Sequence, residues 1–291
     1  MSSGTYTERP DARAGGLVLS MIASPLTEPI LRACTAGPVS MPSSGPGGRP
    51  RSFQISKPGR EAMAVSGVVE RWLRQAPAGP IAIASNSAQE AIIAFLDGWE
   101  STLLWALADG PVSHAELAGA VEGLSKREIK QHVRKLRGAR LVRGGREALE
   151  ITEWARLGMA PLLAAVHCER RRMSDRAPLT QIELETALRL AIPLVRIDSA
   201  HTGSCLLAVE PATSKRRKVP GPAGVRVEIE DGAVVSCAAA ELKDLPAWAA
   251  GTIDAWLQAV RHGRLDRLRF GGQEPNRASA LVEGMHSVLG E

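Results

Sequence analysis

The stretch of sequence that decides the fold, residues 110–152, is GPVSHAELAGAVEGLSKREIKQHVRKLRGARLVRGGREALEIT. Within it, Ser125 followed by Glu128 three residues later predicts a capping box at the start of a helix over residues 125–137. Apolar side chains then recur at i, i+4 and i+7 and form one stripe that faces a core: Ile129, Val133 and Leu136. A shorter helix over residues 113–121 precedes it, so the stretch predicts two helices joined by a turn.

The face of this second helix opposite the apolar stripe is rich in hydrogen-bond donors. Its members are Lys126, Arg127, Lys130, Gln131, Arg134 and Lys135. Arginine can donate two hydrogen bonds to guanine O6 and N7, glutamine matches adenine N6 and N7, and lysine binds phosphate. A helix that is apolar behind and cationic in front is therefore a candidate for binding in the DNA major groove. The alternative is a solvated surface without a function.

A β-hairpin is predicted directly after the basic helix. Gly144-Gly145 separates two short apolar segments, a pattern typical of a tight turn between two strands. Arg143 and Arg146 are expected at the tip, where they would contact the DNA backbone or the minor groove. Between residues 113 and 146 the sequence has nine lysines and arginines and three glutamates, and this excess of positive charge favours DNA binding over the solvated alternative.

Residues 98–172 resemble the HxlR branch of the MarR-like winged-helix regulators. The similarity rests on GWESTLLWALADGPVSHAEL at the start, on the basic helix, and on TEWAR, which opens the last helix. It implies a winged helix-turn-helix with residues 125–137 as the recognition helix, and dimers that associate through terminal helices. The hairpin, which would be the wing, is shorter than that family usually has. Trp99 and Trp105 are expected in the core, with a base-stacking platform as the alternative.

An incomplete copy of the same unit is predicted over residues 16–80. Gly37-Pro38-Val39-Ser40 matches residues 110–113 at an offset of 73, and Ile55-Ser56 resembles residues 151–152 at an offset of 96. The copy therefore lacks 23 residues, the size of the two central helices. We expect this copy to occupy, within the same chain, the position that the second subunit has in a winged-helix dimer. Because one DNA-binding head supplies few contacts, we also expect a homodimer. Two unrelated helical segments are the alternative.

From residue 177 the character of the sequence changes. VRVEIEDGAVVSC predicts two strands joined at Asp231-Gly232. A helix that begins at Thr252 and stops at Gly263 precedes a short strand over residues 265–270 and a final helix. Residues 180–291 resemble the sterol carrier protein-like domain that is fused behind some HxlR-type regulators. That resemblance implies an apolar cavity, whose expected lining is Ile253, Trp256, Leu257, Leu281, Val282 and Met285. Ordinary core packing is the alternative for each of them.

Together these patterns predict an α+β protein with four segments. They are a disordered lead (1–15), a degenerate winged-helix-like unit lacking its recognition helix (16–80), a winged helix-turn-helix (81–176) and a ligand-binding domain (177–291). The formal net charge is +3 over residues 1–90, +3 over 91–176 and −1 over 177–291, so positive charge accompanies the predicted DNA-binding region. Residues 170–172 and 215–218 are two further basic clusters, each either solvated or in contact with the DNA backbone.

The sequence contains no catalytic fingerprint. His167 with Cys168, or His201 with Cys205, would supply only two metal ligands, too few for a zinc site, so we expect no enzyme, no metal and no cofactor. Four widely spaced cysteines and the lack of a signal peptide predict buried, reduced thiols in the cytoplasm. No apolar run reaches the roughly 18 residues of a membrane span.

The leading functional hypothesis is a transcriptional regulator that binds double-stranded DNA and responds to an apolar small-molecule effector. The alternative is a protein that binds or sequesters a small molecule, such as a toxic natural product, and uses the helical units as a scaffold. An enzyme without a recognisable motif is a third hypothesis.

Overall fold

The computed structural model describes residues 16–24, 39–41, 51–53, 57–96, 98–172, 179–210, 223–241 and 247–290. The predicted disordered lead, Cys34 and the basic cluster at residues 215–218 lie outside these ranges. The described chain has a mixed α+β architecture, with helices first and a five-stranded sheet near the C-terminus. Across these ranges no helix combines the length and the apolar content needed to cross a bilayer.

The described residues of the first unit form two helices and two short paired strands. Its elements are α1 (Gly16–Ala23), β1 (Val39–Met41), β2 (Arg51–Phe53) and α2 (Lys57–Arg74). β1 and β2 pair antiparallel, with Val39 opposite Phe53.

The second unit contains the stretch quoted above. Its elements are α3 (Asn86–Leu96), α4 (Gly98–Ala106), α5 (His114–Ala120), α6 (Lys126–Gly138), β3 (Val142–Gly144), β4 (Leu149–Ile151), α7 (Glu153–Leu157) and α8 (Met159–Arg172). β3 and β4 pair antiparallel, and a bridge between Val112 and Leu149 extends this hairpin by a third segment. The helices and the hairpin predicted for residues 110–152 are confirmed.

The C-terminal unit is a sheet covered by helices. Its elements are α9 (Gln181–Ala191), β5 (Gly203–Glu210), β6 (Ala223–Glu230), β7 (Ala233–Glu241), β8 (Trp248–Thr252), α10 (Ile253–His262), β9 (Arg269–Gly271) and α11 (Pro275–Leu289), with 3-10 turns at Ile192–Leu194 and Leu265–Arg267. The strand order is β7-β6-β5-β8-β9, and only β5 and β8 are parallel neighbours.

Two turn predictions for this unit are confirmed, and one strand prediction is confirmed only at its end. Asp231 and Gly232 have φ values of 49° and 74°, the left-handed pair that a two-residue hairpin needs. Gly263 ends α10 with φ 63°. The strand predicted over residues 265–270 is a 3-10 turn followed by β9, which pairs with β8 only from Arg269 onward.

The alternation of side chains along β5 shows how the sheet is buried. Cys205, Leu207 and Val209 join the large core that also contains the helices of all three units. Leu206 and Ala208 point to the other face, where they form a small second cluster with Ala250. Burial raises the pKa of Cys205 to about 12, so this thiol stays protonated and unreactive at neutral pH.

The first and second units are joined by a pair of indoles. α1 and α2 pack against α8, and Trp72 stacks on Trp154 with ring centroids 4.9 Å apart and planes 13° apart. Trp72 Nε1 donates to the carbonyl oxygen of Trp154 (2.8 Å), and Trp154 Nε1 donates to that of Trp72 (2.9 Å). Both side chains are buried, so this reciprocal pair fixes how the two units dock.

We predict that Trp154→Phe lowers the free energy of unfolding by about 2 kcal/mol, because it removes a buried hydrogen bond and part of the stack. In a double-mutant cycle with Trp72→Phe, the coupling energy should be about 1 kcal/mol. Urea unfolding measures both values. Trp99→Phe is the control. Because Trp99 is only half-buried, this substitution should lower the free energy of unfolding by less. A coupling energy near zero would contradict the assigned role of the pair.

Candidate nucleic-acid interface

The two helices before the hairpin begin with the same capping arrangement. Ser125 Oγ accepts a hydrogen bond from the amide of Glu128 (3.3 Å), and Glu128 Oε2 accepts one from the amide of Ser125 (2.8 Å). Ser113 and Glu116 form the same reciprocal pair at the start of α5. These hydrogen bonds lower the pKa of Glu128 and of Glu116. The capping box predicted for α6 is confirmed, and both helix starts are fixed in place.

One face of α6 is buried and the opposite face is exposed. Ile129, Val133 and Leu136 have exposed fractions of 1% or less, which confirms the predicted apolar stripe. The six predicted donor residues on the opposite face are all exposed: Lys126, Arg127, Lys130, Gln131, Arg134 and Lys135. No described part of the chain is packed over this face, so it is accessible to a macromolecular partner.

A groove of about 230 Å³ lies between the start of α6 and the hairpin. Lys126, Lys130 and Arg146 line it, together with Ser113, His114 and one carboxylate, that of Glu147. The amide of His114 donates to the carbonyl oxygen of Arg146 (3.0 Å), which holds the tip of the hairpin beside the start of α5. Three cationic side chains around one groove suit the phosphate backbone of a nucleic acid.

The hairpin is held against α6 by a contact that sequence reasoning missed. Arg137 Nη2 donates to the carbonyl oxygens of Gly144 (2.6 Å) and Gly145 (3.1 Å). Gly144 has φ 97°, and a Cβ at this position would lie 2.1 Å from the carbonyl oxygen of Ala148. Glycine is therefore required here, and the orientation of the hairpin depends on the last turn of α6.

Two of the predicted DNA contacts are paired within the chain. Lys135 Nζ lies 2.9 Å from Glu100 Oε1, and Arg143 Nε lies 2.7 Å from Glu150 Oε1. Both cationic side chains remain largely exposed, at 59% and 67%, so each ion pair is weak and open to exchange with phosphate. The remaining predicted cations, including Arg146 at the tip, form no ion pair with any residue in the described ranges.

The predicted lining of the C-terminal cavity is part of the core. Trp256, Leu257, Leu281, Val282 and Met285 are each at most 2% exposed. Ile253 is half-buried and packs against the same cluster. Trp256 Nε1 donates to the carbonyl oxygen of Ala208 (2.9 Å). None of the six borders the groove beside α6, and their arrangement fits the core-packing alternative as well as the ligand-binding one.

The arginines that end α8 take different roles. Arg170 Nε donates to Asp254 Oδ1 of α10 (2.9 Å), so it joins the second unit to the C-terminal unit. Arg171 is exposed, and the side chain of Arg172 lies outside the described residues.

Within the described ranges, no group of three or more histidine, cysteine or acidic side chains is placed to hold a metal ion. Trp105 is buried and Trp99 packs against the core, as predicted.

The sequence matches no known family profile and no curated protein sequence. Among solved structures, the chain is similar to the solution structure of a conserved hypothetical protein from Thermus thermophilus, described as a possible sterol carrier protein. The two sequences are 25% identical, and the match covers 32% of this chain and 74% of that one, with a TM-score of 0.24. A TM-score of this size does not establish a common fold.

Glu100 accepts hydrogen bonds from two residues of α6, His132 and Lys135, and its titration tests these contacts. Burial disfavours its charged form, but hydrogen bonds from His132 Nδ1 and Lys135 Nζ outweigh that effect and lower the pKa of Glu100 below its ordinary value of 4.5. A carboxyl group of this kind stabilises the fold above its ordinary pKa, and the contribution is lost as the pH falls through the lowered value.

We therefore predict that Glu100→Gln costs about 1 kcal/mol of stability at neutral pH. The difference from the wild type should begin to shrink below about pH 4.5 and should vanish once the pH has fallen through the lowered pKa of Glu100. Thermal unfolding across this pH range measures the difference. Glu122→Gln, at an exposed position on the same unit, is the control and should change little. A cost of Glu100→Gln that stays constant into acid would contradict the proposed ion pairs.

Proposed function

We propose that this protein is a DNA-binding transcriptional regulator in which residues 98–172 form a winged helix-turn-helix and α6 is the recognition helix. The observation that carries the proposal is the exposure of the entire donor-rich face of α6. The order α4, α5, α6, β3, β4 supports it, as does the bridge between Val112 and Leu149 that adds a third segment to the hairpin. Double-stranded DNA is the partner that fits this face.

We also propose that the first unit is a degenerate copy of this DNA-binding unit. Val39 pairs with Phe53, and Val112 pairs with Leu149. The first members of the two pairs are 73 residues apart and the second members 96 residues apart, the same offsets that relate the sequence motifs. Because α1 and α2 pack along the terminal helix α8, the copy takes the position of a partner subunit in cis. We still expect two chains on one operator, which light scattering of the DNA complex measures.

Residues 177–291 are proposed to form the effector-binding domain for an apolar small molecule. Their contacts with the second unit support a regulatory role. Arg189 of α9 is buried and forms an ion pair with Asp109, and Arg156 Nη1 donates to the carbonyl oxygen of Leu190 (3.0 Å). Asp109 lies three residues before Val112, so a displacement of α9 would reach the segment that pairs with the hairpin.

We predict that replacing Arg127, Gln131 and Arg134 together by alanine weakens binding to the DNA upstream of the protein's own gene at least about a hundredfold. Each well-made contact with a base edge is worth roughly 1–3 kcal/mol. Because all three side chains are exposed and alanine favours helix, the variant should fold normally. Gel retardation measures binding, and circular dichroism verifies the fold.

The control variant is Arg226→Ala with Arg267→Ala, which removes the same number of positive charges from exposed positions of the C-terminal unit. It should bind DNA as the wild type does. Wild-type binding should also weaken steeply with salt. The logarithm of the binding constant should fall with the logarithm of the salt concentration, with a slope of about −0.9 for each phosphate contacted. If the triple variant still binds DNA in a salt-sensitive way, α6 is not the recognition helix. No DNA binding by the wild type would favour the sequestering protein instead.

A further inference from the structure

A second cleft, of about 100 Å³, lies where helices from all three units meet. We call it the junction cleft. α2 of the first unit, α8 of the second and α10 of the C-terminal unit each supply part of its wall. Three small apolar side chains are part of its lining: Ala64, Val65 and Ala164. It is remote in sequence from the residues of the groove beside α6, and it is not lined by the six residues predicted to bind the apolar effector.

His167 lines the junction cleft with an unpaired donor. Its side chain is more than nine-tenths buried, and its Nε2 lies 3.5 Å from Nε2 of Gln258. With Gln258 in this orientation its amide nitrogen donates and the imidazole Nε2 accepts, which assigns the hydrogen of the neutral ring to Nδ1. Burial, followed by His262, Arg261 and Arg171, lowers the pKa of His167 to about 4, which keeps the ring neutral. Nδ1 has no hydrogen-bond partner in the described part of the chain.

The other polar groups around the junction cleft include two guanidinium groups and a second imidazole. Arg171 of α8 and Arg261 and His262 of α10 line it. Burial lowers the pKa of His262, and Arg261, Arg171, His286 and Arg264 lower it further. Burial and Arg71 of α2 likewise lower the pKa of Arg261. Glu61 is the acidic residue of the lining, and its negative charge opposes these effects by raising the pKa of His167.

An anion would satisfy both features of this cleft. A buried polar group without a partner is uncommon in folded proteins, and an acceptor oxygen on a bound molecule would satisfy it. Arg171 forms no ion pair with any residue in the described ranges, and a carboxylate has two oxygens that can accept from a guanidinium and from an imidazole N–H together. The apolar part of the lining would contact a short hydrocarbon part of the same molecule.

We propose that the junction cleft binds a small organic acid, with its carboxylate between Arg171, Arg261 and His167 Nδ1 and its hydrocarbon part against Ala64, Val65 and Ala164. The proposal does not require α6 to bind DNA. Because the three walls come from three units, a bound acid would tie them together and stabilise the folded chain.

The test uses the full chain with sodium butyrate as the probe, at constant ionic strength. Histidine ring signals in NMR spectra and the unfolding temperature report binding. Butyrate should shift the signals of His167 and His262 and raise the unfolding temperature. Butyramide, which is neutral but of similar shape, should do neither, and inorganic phosphate should bind more weakly because it lacks the hydrocarbon part. Absence of a butyrate response, or equal responses to butyrate and phosphate, would overturn the proposal.

Variants locate the site. Arg171→Gln should weaken butyrate binding roughly tenfold, because a charge-assisted hydrogen bond is lost. The exposed Ala64→Leu should weaken it by narrowing the apolar wall, and neither substitution alters a buried core position. Arg74→Gln, an exposed residue of α2 outside the lining, is the matched control and should bind butyrate as the wild type does. Unchanged butyrate binding by both Arg171→Gln and Ala64→Leu would place any site elsewhere and overturn the proposal.

Discussion

The burial of one apolar stripe on α6 is the constraint on which the rest of the interface depends. Ile129, Val133 and Leu136 are almost completely buried, and each contributes about 1.5–3 kcal/mol by leaving water. Because the helix has 3.6 residues per turn, packing this stripe against the core makes the opposite face, with the lysines, the arginines and Gln131, point to solvent. The capping box at Ser125 sets where the helix begins, and Arg137 ties its last turn to the hairpin. The helix and the hairpin therefore present their cations as one surface.

The second unit is the centre to which the other two are attached. α1 and α2 pack along α8, with the Trp72–Trp154 pair between them, and α10 approaches the same helix through the Arg170–Asp254 ion pair. Arg189 reaches Asp109 just before the segment that pairs with the hairpin. The effector proposed for the C-terminal unit would act through these contacts. In our account the chain regulates DNA binding by changing how these units dock.

The structure could be predicted from the sequence wherever a few neighbouring residues determine it. The capping box, the apolar stripe of α6, the Asp231-Gly232 turn and the end of α10 at Gly263 are all of this kind. Contacts between distant residues were not predictable in this way. Glu100 reaches Lys135 and His132 across more than thirty positions, and no periodicity connects them. The junction cleft combines three helices from three units, and the His167-Cys168 pair within it gave only a weak signal for metal ligands.

Lysine labelling in the presence of DNA tests the central claim most directly, because the chain has few lysines and two of them line the groove beside α6. Acetylation followed by mass spectrometry would compare each lysine in the free protein and in a saturated complex with the DNA upstream of its gene. Our account predicts strong protection of Lys126 and Lys130 and unchanged labelling of Lys57, which is exposed at the start of α2. Equal labelling of Lys126 and Lys130 with and without bound DNA would contradict it.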